Sequence, residues 1–286
     1  MNAEQFHQAR KFAETDFGRI AYVEQGSGPA ALFVHGFPLN GFAWRGTLDD
    51  LAATRRCIAL DLMGLGYTEV PAEQDLGFDR QAAMIAAFLD RLDLSQVDLV
   101  GNDSGASISQ VFAARYPSRL RSLTITNCEV HDLWPNAMLK AAFDQFADPS
   151  IVVGMKAMVD APAVARQAFA SVYEDAGRIP DEAFKTYLEP LVSSDERSAK
   201  MRRFLSLYNL KVLTAIAPQL RELKVPTLIV WGESDTAFDL KSPEWLKNNI
   251  AGVRRVVMVP RGKLFFPEEH PKLMSVLLQE FWRSVA

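Results

Sequence analysis

Gly101-Asn102-Asp103-Ser104-Gly105 stands directly after the apolar run Val-Asp-Leu-Val at 97–100 and directly before a helical pattern over 106–115. Strand, sharp turn and helix in that order make a nucleophile elbow, a turn that lifts one side chain to the top of a sheet. Glycines two residues to either side of the central position let the backbone take that strained course. With Ser104 at the centre, those places would fall to Asn102 and Ala106; with Asp103 at the centre they are Gly101 and Gly105. The Asp103 frame fits, so the expected nucleophile is a carboxylate. A carboxylate attacks a carbon bearing a leaving group and leaves an ester, where a serine would acylate, so the natural target is an electrophilic alkyl carbon.

Outward from the elbow, short apolar, β-branched runs alternate with longer helical patterns, which predicts an α/β fold with a mostly parallel sheet flanked by helices. The predicted strands are 19–24, 31–34, 56–60, 97–100, 122–126, 227–231 and 255–259; helices fit 45–53, 78–92, 106–115, 242–249 and 268–282. Tyr116-Pro117 stops the elbow helix, because the residue before proline disfavours helical geometry. Between residue 133 and about residue 220 the strand signal disappears, and Ala, Met, Phe and Leu recur at helical spacing. The expected organisation is a core of residues 1–132 and 221–286 with a helical cap inserted over 133–220. Such a lid would exclude water from the pocket and shape its specificity.

The 286 residues, 49% hydrophobic and 23% charged, suffice for one large core with a modest insertion. A net charge of -4 without a basic cluster gives no footprint for nucleic acid or an anionic membrane. The first 17 residues are too polar for a signal peptide, and no apolar run approaches the roughly 20 residues needed to span a bilayer, so the expected location is cytoplasmic. Cys57 and Cys128 lie in or at the end of predicted buried strands, where a small apolar side chain is ordinary. No Cys and His spacing suggests zinc and no phosphate-binding glycine loop is present, so no cofactor is expected. The expected partner is a small-molecule substrate, with no nucleic acid and no membrane; a homodimer is an allowed assembly.

The elbow, the alternation and the insertion together resemble the α/β-hydrolase superfamily over nearly the whole chain. The aspartate elbow points to the branch that holds haloalkane dehalogenases, epoxide hydrolases and fluoroacetate dehalogenases. His35-Gly36-Phe37-Pro38 follows strand 31–34, where the family supplies a backbone N–H to an oxyanion hole. The resemblance makes Phe37 that donor and Ser104 the second, at the start of a helix whose dipole favours negative charge. In this motif the His35 side chain organises the turn. Asp61-Leu62-Met63-Gly64-Leu65-Gly66-Tyr67-Thr68 resembles the family's D-x-x-G-x-G loop, a fold signature in which Asp61 has a hydrogen-bonding role. Trp231-Gly232-Glu233-Ser234-Asp235 matches Asp235 to the acid that orients a catalytic histidine, with a turn aspartate as the plainer reading. Glu129 competes with it, since some dehalogenases draw their acid from that position.

The resemblance breaks at the histidine. Relatives carry it in a Gly-His-Phe loop after the last strand, seven residues ahead of a proline; here Pro271 places that position at Leu264 in Gly262-Lys263-Leu264-Phe265-Phe266. Without a base to activate water, an ester at Asp103 would form and persist. Three explanations stay open. Another histidine of His7, His35, His131 and His270 substitutes, His131 being the best placed; or Glu129 or Asp235 activates water without imidazole; or the fold has turned to non-hydrolytic work, as a lyase, isomerase or cyclase, or to ligand sensing.

Substrate signals are fewer. The halide-holding tryptophan and its partner in dehalogenases correspond to Ser104 and Phe37, and the carboxylate-binding arginines of fluoroacetate dehalogenases are missing from 106–114. Epoxide hydrolases use cap tyrosines to protonate the opening ring, and Tyr173, Tyr187 and Tyr208 are available. Asn127-Cys128-Glu129-Val130-His131-Asp132-Leu133-Trp134-Pro135 gathers two acids, a histidine and an aromatic at the cap entrance. Candidate pocket residues are His35, Asn102, Trp134 and Leu264.

Overall fold

In a computed structural model, which describes residues 1–133, 148–207 and 211–285, the alternating pattern forms one eight-stranded sheet. Its strands are β1 Lys11–Thr15, β2 Gly18–Gln25, β3 Ala30–Val34, β4 Arg56–Leu60, β5 Val97–Gly101, β6 Leu120–Thr126, β7 Thr227–Gly232 and β8 Val253–Val259. They lie in the order β1-β2-β4-β3-β5-β6-β7-β8. β1–β2 and β2–β4 pair antiparallel, and the other neighbours pair parallel. The central strands β3, β5 and β7 are buried along their whole length. Helices cover both faces of such a sheet, so these strands read as continuous apolar runs rather than as alternation.

Among the departures from the sequence reading are an unanticipated helix, Ala3–Gln8, and two further elements. β1 was not anticipated, because its single buried residue, Ala13, leaves an edge strand with no apolar periodicity to detect. The expected helix 268–282 is two helices, Phe266–Glu269 and Pro271–Val285, because His270 precedes a proline and leaves helical geometry at φ -122°, ψ 55°.

Between β6 and β7 the described chain is helical: Ser150–Asp160, Pro162–Phe169, Asp181–Val192, Asp195–Ser206, Lys211–Ala215 and Ala217–Glu222. Helix Asp195–Ser206 is fastened to the loop after β4 by its basic side chains. Arg197 donates to the Gly66 and Thr68 carbonyls at 3.2 and 3.0 Å, Lys200 to Val70 at 2.6 Å, and Arg203 to Ala72 and Glu73 at 2.7 and 3.2 Å. Spacing of three puts the donors on one helix face, and alternate residues of an extended chain present their carbonyls to the same side. Asn40 ties the turn after β3 to the Thr186 carbonyl at 2.8 Å. Trp134 and Tyr208, both named from the sequence, lie outside the described residues. Among the described residues no helix is long and apolar enough to cross a membrane.

Candidate active site

Asp103 sits between β5 and helix Ser104–Arg115 with φ 55° and ψ -139°, a conformation L-residues rarely adopt. The strain rests on Asp103 itself; Gly101 and Gly105 serve close approach instead. A Cβ at Gly105 would collide with the Val34 and His35 carbonyls, and one at Gly101 with the backbone of Ala106. The Asp103 N–H donates to the Asn127 carbonyl at 2.8 Å, fixing the turn to the end of β6.

The Asp103 carboxylate accepts hydrogen bonds from the backbone N–H groups of Ser104 and Phe37. It also lies against Gly36, where a Cβ would collide with it. Burial, then the negative charge of Glu129, raise its pKa well above the ordinary carboxylate range, while the two amides act the other way. Glu129 is buried, with its carboxylate on the Ser107 hydroxyl and its carbonyl on Gln110 Nε2 at 2.9 Å. Asp235 also contributes to the upward shift of Asp103. Its carboxylate accepts from Asn127 Nδ2 at 2.6 Å and from the Ala237 N–H at 2.8 Å. Asn127 thereby links Asp235 to the Asp103 backbone, a part the sequence reading did not assign.

Burial raises the Asp235 pKa to about 6 against the hydrogen bonds of Asn127, Ala237 and Phe238. Because this acid titrates higher in the folded than in the unfolded chain, it favours folding below its unfolded pKa, and that contribution is lost as pH rises from about 4 through 6. Asp235→Asn should therefore gain stability relative to the parent by up to about 2 kcal/mol between pH 4 and pH 7.5. Urea unfolding of both proteins at the two pH values measures it.

Leu264 is buried, and its carbonyl accepts from Asn102 Nδ2 at 2.9 Å, while the same amide nitrogen donates to Thr126 Oγ1 at 2.8 Å. Asn102 thus pins the loop that carries Leu264 to the elbow strand. The four histidines are engaged elsewhere. His131, the leading substitute base in the sequence reading, stacks on Trp245 with centroids 4.7 Å apart and meets Asp132 at 2.7 Å. Among the described residues no hydrogen bond or ion pair joins it to Asp103, Glu129 or Asp235, because its backbone at φ 50° turns the ring toward helix Lys241–Asn249. His270 lies 3.1 Å from Glu174, and His7 lies beside Arg10 and Tyr67.

His35 is buried; its Nε2 accepts the Leu62 N–H at 3.0 Å, so Nδ1 carries the proton and donates to the Gly36 carbonyl at 3.0 Å. Burial lowers its pKa, which keeps the ring neutral in this role. It thereby locks the turn bearing Phe37 to the neighbouring loop, where Asp61 accepts the Gly41 and Tyr67 amides, each at 2.8 Å. His35→Ala strands two buried backbone groups and opens a cavity, so it should cost about 2–4 kcal/mol in chemical unfolding.

The sequence reading missed Glu268, which begins four residues beyond Leu264. Its buried carboxylate accepts from Arg45 Nη1 at 2.6 Å, from the Tyr187 hydroxyl at 2.5 Å and from the Tyr173 hydroxyl at 2.5 Å. Two of the three tyrosines singled out for the insertion thus converge on a carboxylate. Burial, then the Glu268 charge, push both hydroxyls well above the usual tyrosine range and keep them protonated. The repeated acids of Phe266-Pro267-Glu268-Glu269 were the available signal, and nothing in their spacing marks which one turns inward.

The family model described as alpha/beta hydrolase fold matches residues 29–154. Mouse epoxide hydrolase 4 is 25% identical over 277 residues, covering 94% of this chain and 76% of that protein. Haloalkane dehalogenase 2 of Mycobacterium tuberculosis (strain H37Rv) is 26% identical over 284 residues, covering 95% and 94%. The crystal structure of the haloalkane dehalogenase DbeA from Bradyrhizobium elkani superposes with a TM-score of 0.79 at 22% identity, covering 96% of this chain and 98% of that one. The chain is an enzyme with the α/β-hydrolase fold, similar to haloalkane dehalogenases and epoxide hydrolases.

Proposed function

We propose that this α/β-fold hydrolase uses Asp103 as a nucleophile on an electrophilic sp³ carbon of a small, largely apolar molecule. The observation that carries this reading is the pair of Phe37 and Ser104 amides converging on a carboxylate at the elbow. In the first step an Asp103 oxygen bonds to the carbon and the leaving group departs with the bonding pair, leaving an ester. An amide pair that holds the carboxylate oxygen is also placed for the oxyanion of the tetrahedral intermediate when water attacks the ester carbon. Asp235 acts through Asn127 to fix the elbow, and Glu129 sets the charge around Asp103.

Similarity to an epoxide hydrolase and to haloalkane dehalogenases supports attack at carbon. Ser104, where dehalogenases hold halide with tryptophan, favours an oxygen leaving group such as a strained ring. The helices between β6 and β7 serve as the lid over the pocket, and the protein works in the cytoplasm on a freely diffusing substrate. Exposure to a panel of epoxides, alkyl halides and activated esters, followed by intact-protein mass and product analysis, tests the reading. An adduct or product with the parent and neither with Asp103→Asn is expected; turnover equal in both would overturn it. Leu264 in the place of the imidazole favours a second reading, in which Asp103 is a general acid or base in a non-hydrolytic elimination or rearrangement. Product formed without any adduct or net uptake of water would favour that alternative.

A further inference from the structure

Beside Gly36 and Asn102 lies a cavity of about 10 Å³, also walled by His35, Trp44, Phe265 and Glu268. That volume admits one water molecule, and a water held inside protein needs two or more polar partners. The walls supply them. Trp44 is 2% exposed, yet its indole Nε1–H has no hydrogen-bond partner among the described residues. A buried donor left unpaired costs about 1–3 kcal/mol, so an orphan on a side chain that lines a water-sized space points to a ligand that accepts a hydrogen bond. Glu268 lines the same cavity, and its carboxylate carries a negative charge that Arg45 balances at 2.6 Å. Its Oε1 already takes two hydrogen bonds, whereas Oε2 takes one, from Tyr173. Oε2 therefore keeps capacity for a water proton.

The cavity shares a wall with the nucleophile. Gly36 borders it, and the missing Gly36 side chain is the space into which the Asp103 carboxyl group fits. A water here shares its walls with a carboxylate and with the glycine that abuts Asp103, in a molecule whose four histidines are all committed elsewhere. We propose that this cavity holds the hydrolytic water and that Glu268 is the base that activates it, an inference that rests on Asp103 forming an ester.

The step balances without any further reactant. The water oxygen bonds to Asp103 Cγ while its proton passes to Glu268 Oε2, and the carbonyl electron pair moves onto the oxygen held by the Phe37 and Ser104 amides. Collapse restores the carbonyl and breaks the bond from Cγ to the alkyl oxygen. The departing alkoxide takes the proton from Glu268, and Asp103 is released as the acid. A carboxylate is a weaker base than imidazole, so this step limits turnover and the ester accumulates transiently.

The test follows the mass of the intact protein in time after mixing with 1,2-epoxyhexane and, separately, with 1-bromobutane. In the parent an adduct forms and then clears as product appears. In Glu268→Gln, which retains an acceptor for the tyrosines, the adduct should form within about 3-fold of the parent rate and clear at least about 100-fold more slowly, the span a general base provides. Trp44→Phe removes the water's donor together with part of the ring, and touches none of the Arg45, Tyr173 and Tyr187 hydrogen bonds to Glu268; its adduct should clear about 10-fold more slowly, one hydrogen bond's worth of water positioning. If Glu268→Gln does not fold, Trp44→Phe decides. Clearance at the parent rate in either folded variant overturns the proposal. A parent adduct that never clears overturns it while leaving Asp103 as the nucleophile, whereas neither adduct nor product in the parent overturns both.

Discussion

Leu264→His should speed clearance of the Asp103 ester by about 10²–10⁴-fold, the range that a positioned general base supplies. The resemblance to dehalogenases and epoxide hydrolases puts imidazole at this position, and the local backbone is ready to hold it. Asn102 grips the Leu264 carbonyl at 2.9 Å, so the new side chain would spring from an anchored turn rather than a mobile one. Leucine and histidine are close in volume, which keeps the packing change small even though Leu264 is only 6% exposed. The clearance rate would also acquire an inflection near the ordinary histidine pKa of about 6.5, absent in the parent. Stopped-time mass measurements between pH 5 and pH 8.5 detect both effects. A folded Leu264→His protein with unchanged clearance would show that water activation is not the limiting step.

Asp103→Asn should lose alkylation altogether, a fall of at least about 10⁴-fold, because a neutral carboxamide lacks the anionic oxygen that forms the ester. Its fold should survive. The amide keeps an oxygen for the Phe37 and Ser104 N–H groups and removes one of the buried acids that repel each other around Asp103. Thermal unfolding at or above the parent midpoint is the expected companion result. Inactivity accompanied by unfolding would remove the chemical conclusion, whereas residual turnover of a few per cent would favour a general acid or base role.

The parts of this molecule that were legible in the sequence are those with local signatures. Val97 to Gly105 announces strand, turn and helix start within nine residues, because glycine spacing and apolar runs are short-range properties. Strand 56–60 was read to the residue, and the other buried strands to within two, since burial on both faces leaves an unbroken apolar run. β1 escaped because an exposed edge strand leaves no such trace. The companions of the site escaped for a different reason. Glu268 meets Tyr173 and Tyr187 across separations of 95 and 81 residues, and nothing in a local window announces such a meeting. Trp44 looks like any core aromatic; an unpaired N–H on a residue that lines the small cavity sets it apart. The roles of Gly101 and Gly105 were half visible: the sequence shows that side chains are unwelcome there, and the structure shows that the reason is crowding against neighbouring backbone.

The unusual torsion angles at residue 103 have a bearing on how this scaffold can be re-purposed. At φ 55° and ψ -139°, the penalty falls on the Cβ that every L-residue shares, so it is nearly the same for aspartate, serine or cysteine. Exchange of the reactive atom is thus almost free of conformational consequence, and the turn behaves as a socket indifferent to its fitting. What discriminates is the opposing surface: Gly36 leaves clearance for a planar three-atom head group, so the mould that selects the reagent lies on the β3 turn and not on the elbow. Redesign of the chemistry should accordingly begin with residues 36 and 37 and treat residue 103 as interchangeable.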